Sequence, residues 1–129
     1  MNLETLYLSY NQLTSLPKEF GSLEKLVGLD LGYNQFTNFP NEILNLLNLE
    51  GLRLSDNQLT TLPEAFGNLI KLQHLDLSNN ELITLPETLE NLLDLILLEL
   101  TDNRLSHLPE SIKLFLEVRN FTLGTQKGK

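Results

Sequence analysis

An α/β solenoid, with one short strand and one short helical segment per turn, is the fold class this sequence predicts. Three observations lead to it. An apolar pattern returns every 23 residues, opening at Leu3, Leu26, Leu49, Leu72 and Leu95, with a truncated sixth copy from Val118. Within each copy, as in LQHLDL at Leu72–Leu77, apolar and polar residues alternate as they do on a half-buried strand. Further on, every full copy carries a proline, Pro17, Pro40, Pro63, Pro86 or Pro109, that leads into helically spaced apolar residues. A fixed period in the twenties whose apolar face no single copy can bury alone marks a stacked coil.

Leu72–Pro86 serves as the type copy. Leu75 and Leu77 point inward from the strand, while His74, Asp76 and Ser78 point outward. One strand per turn makes a parallel sheet, and right-handed crossovers coil successive turns into a superhelix. After the strand comes Asn11, Asn34, Asn57, Asn80 or Asn103. An amide side chain donates and accepts, so an inward column of Asn can satisfy backbone groups of adjacent turns where the chain leaves the sheet. The return segment, with Leu89 and Leu92 after Pro86, reads as a convex α or 3₁₀ segment about two turns long. Proline suits its first turn, and Glu19, Glu42, Glu64, Glu87 and Glu110 suit the positive end of its dipole, with Lys25 and Lys71 near the other.

The ends depart from the pattern. No capping segment precedes Leu3, so Leu3, Leu6 and Leu8 lack a neighbour on one side and the N-terminus reads as cut or open. At the other end Leu114 replaces a residue that is polar in the earlier copies (Ser22, Asn45, Asn68, Asn91). Val118, Phe121 and Leu123 read as a last strand and rudimentary cap, with Gln126 in the place of the Asn. The domain is therefore expected to run over residues 1–123, with 124–129 a frayed polar tail.

Composition narrows the function. The chain has 129 residues, 17 Asp plus Glu against 9 Lys plus Arg, a net charge of −8 and no Cys. Nucleic acid is disfavoured as a partner, since phosphates require a basic face; a basic protein partner suits better. Disulfides, thiolate metal sites and Cys nucleophiles are excluded. No leader segment and no run of about 20 apolar residues is present, so a soluble chain with no membrane span is expected, its compartment open.

The pattern LxxLxLxxNxLxxLP, matched in register over Leu3–Glu117 and in part to Leu123, resembles the leucine-rich-repeat family. The 23-residue Leu-Pro form is common in bacterial members and in some eukaryotic signalling scaffolds. The resemblance implies an arc with the parallel sheet on its concave face, generally used to bind proteins. Extracellular members usually carry Cys-rich caps, and some bacterial effectors carry a ubiquitin-ligase domain with a nucleophilic Cys; this sequence has neither. Phe36 and Phe39 replace Leu in the second repeat, a change the core can absorb.

Specificity in such a repeat belongs to its variable outward positions. The third-position column is Thr5, Gly28, Gly51, His74, Leu97 and Asn120; the fifth is Tyr7, Asp30, Arg53, Asp76, Glu99 and Thr122; the eighth is Tyr10, Tyr33, Asp56, Asn79, Asp102 and Thr125. Arg53 between Asp30 and Asp76 predicts a ladder of ion pairs. Asp76 opposite Glu99, with Asp56 and Asp102 nearby, predicts an acidic centre whose like charges strain the sheet unless a cation or basic partner arrives. Tyr7, Tyr10 and Tyr33 gather towards the N-terminal end as candidate anchors, although tyrosine is also a good strand residue. Ile96 and Leu97 suggest an apolar patch beside the acids.

His74, Asp76 and Glu99 could be imagined as metal ligands, but they form no specific motif. His107 reads as merely exposed. No phosphate loop, Ser-His-Asp set or cofactor motif occurs. The expected function is a non-catalytic, cofactor-free protein-binding module. Its contacts are Tyr7, Tyr10, Asp30, Tyr33, Arg53, Asp56, His74, Asp76, Leu97, Glu99 and Asp102. The rival expectation is a structural solenoid, either a homo-oligomer joined through its uncapped ends or a piece of a longer one; an enzyme is the least supported reading.

Overall fold

The structure, a computed structural model, describes residues 2–128. Five three-residue strands, β1 (Thr5–Tyr7), β2 (Gly28–Asp30), β3 (Gly51–Arg53), β4 (His74–Asp76) and β5 (Leu97–Glu99), pair in sequence order into one parallel sheet. Each residue faces its equivalent 23 positions on, as Leu52 faces Leu75, so the sequence columns are real columns across the sheet. The middle residue of each strand points into the core. Leu29, Leu52, Leu75 and Leu98 are buried there, joined by Leu26, Leu49, Leu72 and Leu95 from the repeat openings.

The convex segments of the first four repeats are five-residue 3₁₀ turns, such as Asn41–Asn45. Their apolar residues explain the choice. Ile43, Leu46 and Leu49 are three apart, and each N–H donates to the carbonyl three residues back, on Pro40, Ile43 and Leu46 in turn. A three-residue turn therefore keeps all three side chains facing the core. The prolines lie one residue before these turns, where their carbonyls accept the first turn hydrogen bond.

The asparagine column is the interior ladder that the sequence predicts. Asn80 accepts from the Leu59 N–H at 3.0 Å and donates to the carbonyls of Leu54, Leu77 and Ser78. Asn57 and Asn103 repeat the same bonds one turn away on either side. Asn11 in the first repeat is exposed, and its side-chain amide donates only to the Leu8 and Ser9 carbonyls among the described residues.

Two expectations for the C-terminal end need correction. Val118 does not open a sixth strand; it ends an α-helix, α1 (Glu110–Val118), and stands 69% exposed. The buried residues of α1 are Ile112 and Leu116, four apart. That spacing faces one way on a 3.6-residue turn, not on a three-residue one. Residues 124–127 are not a frayed tail either. Gln126 is buried, accepts from the Leu105 N–H and donates to Leu100 and Leu123, which makes it the last rung of the ladder. Lys127 adds a backbone bond to Asn103 and side-chain bonds to the Asn80 carbonyl and Glu81. Arg119 fastens α1 to the preceding turn through the Leu93 and Leu95 carbonyls, and its guanidinium lies over Phe115 and Phe121.

Candidate functional site: the concave sheet face

Alternation along each strand turns its first and third residues out onto the concave face. In the fifth-position column Arg53 sits between two carboxylates, 3.2 Å from Asp30 and 3.7 Å from Asp76. Burial disfavours its charge, but Asp30 and then Asp76 outweigh that cost and its pKa is raised. Both acids also serve the backbone. Asp30 accepts from the Gly32 N–H, and Asp76 from the Ser78 N–H and hydroxyl, so each braces the exit of its strand. The predicted repulsion between Asp76 and Glu99 is therefore softened, because Asp76 is already held by Arg53 and Ser78. Glu99 and Asp102 have no ion-pair partner among the described residues.

In the eighth-position column the backbone is left-handed at Tyr10, Tyr33, Asp56, Asn79 and Asp102, with φ between 52° and 60°. Asp and Asn tolerate this conformation, whereas a bulky side chain does not gain from it. Tyr10 and Tyr33 nonetheless hold it, and their rings stack at 4.3 Å with 9° between planes. The Arg53 guanidinium lies 5.4 Å from the centre of the Tyr33 ring. Asp56, and after it the Tyr10 hydroxyl, push the Tyr33 phenol above its ordinary pKa. Asp56 itself takes a short hydrogen bond from Asn79. Tyr7 and Tyr10 are 76% and 71% exposed, and Tyr33 is 38% exposed.

The structure thus joins Asp30, Tyr33, Arg53 and Asp76 into one contiguous cluster, with Tyr10 stacked on its edge and Asp56 beside it. His74 and Leu97 face each other across β4 and β5 in the third-position column, as Asp76 and Glu99 do in the fifth. Among the described residues no three His, Asp or Glu side chains converge closely enough to hold a metal ion, so the imagined His74–Asp76–Glu99 trio does not form.

Two features escape the sequence reading. Gly28 and Gly51 leave an open hollow of about 310 Å³ on the sheet, lined also by Tyr7, Arg53, His74 and Leu97. Leu47, Ile70 and Leu93, at equivalent positions 23 residues apart, form an exposed apolar stripe just ahead of the strands. Both were present in the sequence as columns, the second at a position that is Glu24 in the first repeat.

Comparisons with known proteins agree with this architecture. A family model described as leucine rich repeat matches residues 29–82, and one described as two copies of that repeat matches residues 2–46. The chain belongs to the leucine-rich-repeat family. Members of this family typically serve as protein-interaction modules and are generally non-catalytic.

Among solved structures, a leucine-rich-repeat protein of Leptospira interrogans is 36% identical with a TM-score of 0.64, over 96% of this chain and 36% of that one. Internalin C2 of Listeria monocytogenes is 29% identical with a TM-score of 0.78, over 97% of this chain and 52% of that one. The plant peptide hormone receptor RGFR1, solved in complex with RGF2, is 32% identical with a TM-score of 0.74, over 96% of this chain and 20% of the receptor. The chain therefore spans about half or less of each of these proteins. No curated protein matches its sequence. No helix among the described residues is long and apolar enough to cross a membrane.

Proposed function

We propose that this chain is a non-catalytic module that binds a basic protein partner on its concave face. The observation that carries the reading is the Tyr10–Tyr33 stack. Two bulky residues occupy left-handed positions where the other repeats use Asp or Asn, so the fold alone gives no reason for them. Rigid aromatic rings make good anchors; Asp56 lies beside Tyr33, and Glu99 and Asp102 lie further along the same face, where their negative charge suits a basic partner. The complex in which RGFR1 was solved gives a relative of this fold with a bound partner.

A clean test avoids Asp76, which braces Ser78. Tyr7 and Glu99 make no side-chain hydrogen bond or ion pair among the described residues, so Tyr7→Ala with Glu99→Lys should leave the fold intact. Capture of a partner from the native environment should fall at least about tenfold, with the urea midpoint unchanged. Undiminished capture would refute the reading.

A second reading, self-association, is favoured by the half-exposed Leu3, Leu6, Leu8 and Leu13 at the first repeat and by exposed Leu114 and Val118 at the last. It requires light scattering to give a mass that rises with concentration; a constant monomer mass removes it.

A further inference from the structure

We infer that the hollow over Gly28 and Gly51 is an anchor pocket for one aromatic side chain, carried between basic residues on a partner protein. The inference rests on the concave-face reading above and names what that face takes.

Glycine within a strand weakens it and requires a reason, commonly a positive φ, a tight contact or the close approach of a ligand. The first two reasons fail here. Neither Gly28 nor Gly51 has a positive φ. A Cβ on Gly51 would meet nothing within 4 Å, and one on Gly28 would touch only the Thr5 methyl at 3.4 Å, an ordinary contact. Elsewhere glycine is needed for space: a Cβ on Gly67 would come within 2.5 Å of both the Thr88 Cβ and its backbone carbonyl oxygen. The same column carries Thr5, His74 and Leu97 on neighbouring strands, so the position accepts side chains of any size. What the two glycines leave is room.

The shape and chemistry of that room select the occupant. Its volume, about 310 Å³, is at the small end of ligand sites and suits a single side chain rather than a length of chain. Its floor is backbone bare of side chains at Gly28 and Gly51 on two adjacent strands, and an aromatic ring can cover a strand glycine. Tyr7 stands at one end and His74 with Leu97 at the other. Arg53 forms part of the wall, and Asp30, Asp76 and Tyr33 hold its guanidinium in place. A cation already fixed beside the hollow can pack on a ring with little further ordering. Beyond the wall, Glu99 and Asp102 lack ion-pair partners among the described residues and favour Lys or Arg flanking the ring.

The test uses two blocked peptides, Lys-Trp-Lys and Lys-Leu-Lys. The chain contains no Trp, so fluorescence of the first reports binding directly. The Trp peptide should bind at least about tenfold more tightly than the Leu peptide and should shift the Gly28 and Gly51 amide resonances. Gly51→Val should abolish both effects; Gly51→Ala, a smaller filling of the same space, should weaken them if the valine variant fails to fold. Equal affinity for the two peptides, no detectable binding of either, or undiminished Trp-peptide binding by the folded Gly51 variants would overturn the inference. Its failure is separable from that of the broader reading. Normal partner capture by Gly51→Val alongside lost capture by Tyr7→Ala/Glu99→Lys would remove the pocket and keep the concave face. The reverse result would keep the pocket and remove Tyr7 and Glu99 from the partner's contacts on that face.

Discussion

Two columns run through the same five repeats one residue apart, and they obey opposite rules. The inner one reads Asn11, Asn34, Asn57, Asn80, Asn103; the outer one, immediately before it, reads Tyr10, Tyr33, Asp56, Asn79, Asp102. Inside, Asn34, Asn57, Asn80 and Asn103 each meet a fixed set of backbone donors and acceptors, so one residue type is required. Outside, the backbone asks only for tolerance of a left-handed φ, which Asp and Asn supply in three repeats and tyrosine does not. Uniformity therefore marks what the coil needs, and departure from the locally easiest residue marks what the surface is used for.

Breaking the inner column should have the largest effect. Asn80→Leu leaves the Leu59 N–H without its acceptor and takes one donor each from the Leu54 and Leu77 carbonyls, which keep Asn57 and Asn103. At about 1–3 kcal/mol for the stranded N–H and about 0.5–1.5 kcal/mol for each bond the two carbonyls lose, urea unfolding should show a loss of at least about 2 kcal/mol. A loss under about 1 kcal/mol would mean that the ladder is not what holds adjacent turns together.

The outer column should respond differently. Tyr33→Asn relieves a left-handed strain of about 1–2 kcal/mol and gives up a stacking contact of about 0.5–1.5 kcal/mol. The change in stability should accordingly lie between a loss of about 0.5 kcal/mol and a gain of about 1.5 kcal/mol, while partner capture falls. A large destabilisation would make the tyrosine pair a structural element after all.

The smallest effect belongs to Glu81, next to the ladder, whose pKa is lowered by hydrogen bonds from Arg104 and then Lys127. A carboxylate with a depressed folded-state pKa stabilises fully above the ordinary Glu range and loses that contribution as pH falls through its folded value. Glu81→Gln should therefore be slightly less stable than the parent at pH 7, and the two should converge below about pH 4. Parallel unfolding midpoints across that range would show that Glu81 does not pin the C-terminal segment.

Much of the fold was legible because its causes are periodic. The 23-residue spacing, the Asn column and the strand alternation each follow from one repeated requirement, and the sheet register reproduces them residue by residue. The C-terminal end was misread where the period itself changes: Ile112 and Leu116 are four apart, so an α-helix replaces the 3₁₀ turn and Val118 is carried out of the core. Gln126 could be placed in the Asn column from sequence, yet only its bonds to Leu100, Leu105 and Leu123 reveal that the segment around it is packed.

On the concave face the ion-pair ladder around Arg53 was readable from column order. The left-handed φ at Tyr10 and Tyr33 was not, because it depends on the turn out of the strand and not on the tyrosines. Gly28 and Gly51 were visible as letters but not as space, since a missing side chain becomes a hollow only when its neighbours are known.

Hydroxyl-radical footprinting of the chain alone and with its captured partner sets the concave columns directly against the other conspicuous exposed surface, the stripe of Leu47, Ile70 and Leu93. Binding on the concave face requires oxidation to fall at Tyr7, Tyr10, Tyr33, His74 and Leu97 and to stay level along the stripe. Protection of Leu47, Ile70 and Leu93, with the tyrosines oxidised as before, would contradict it.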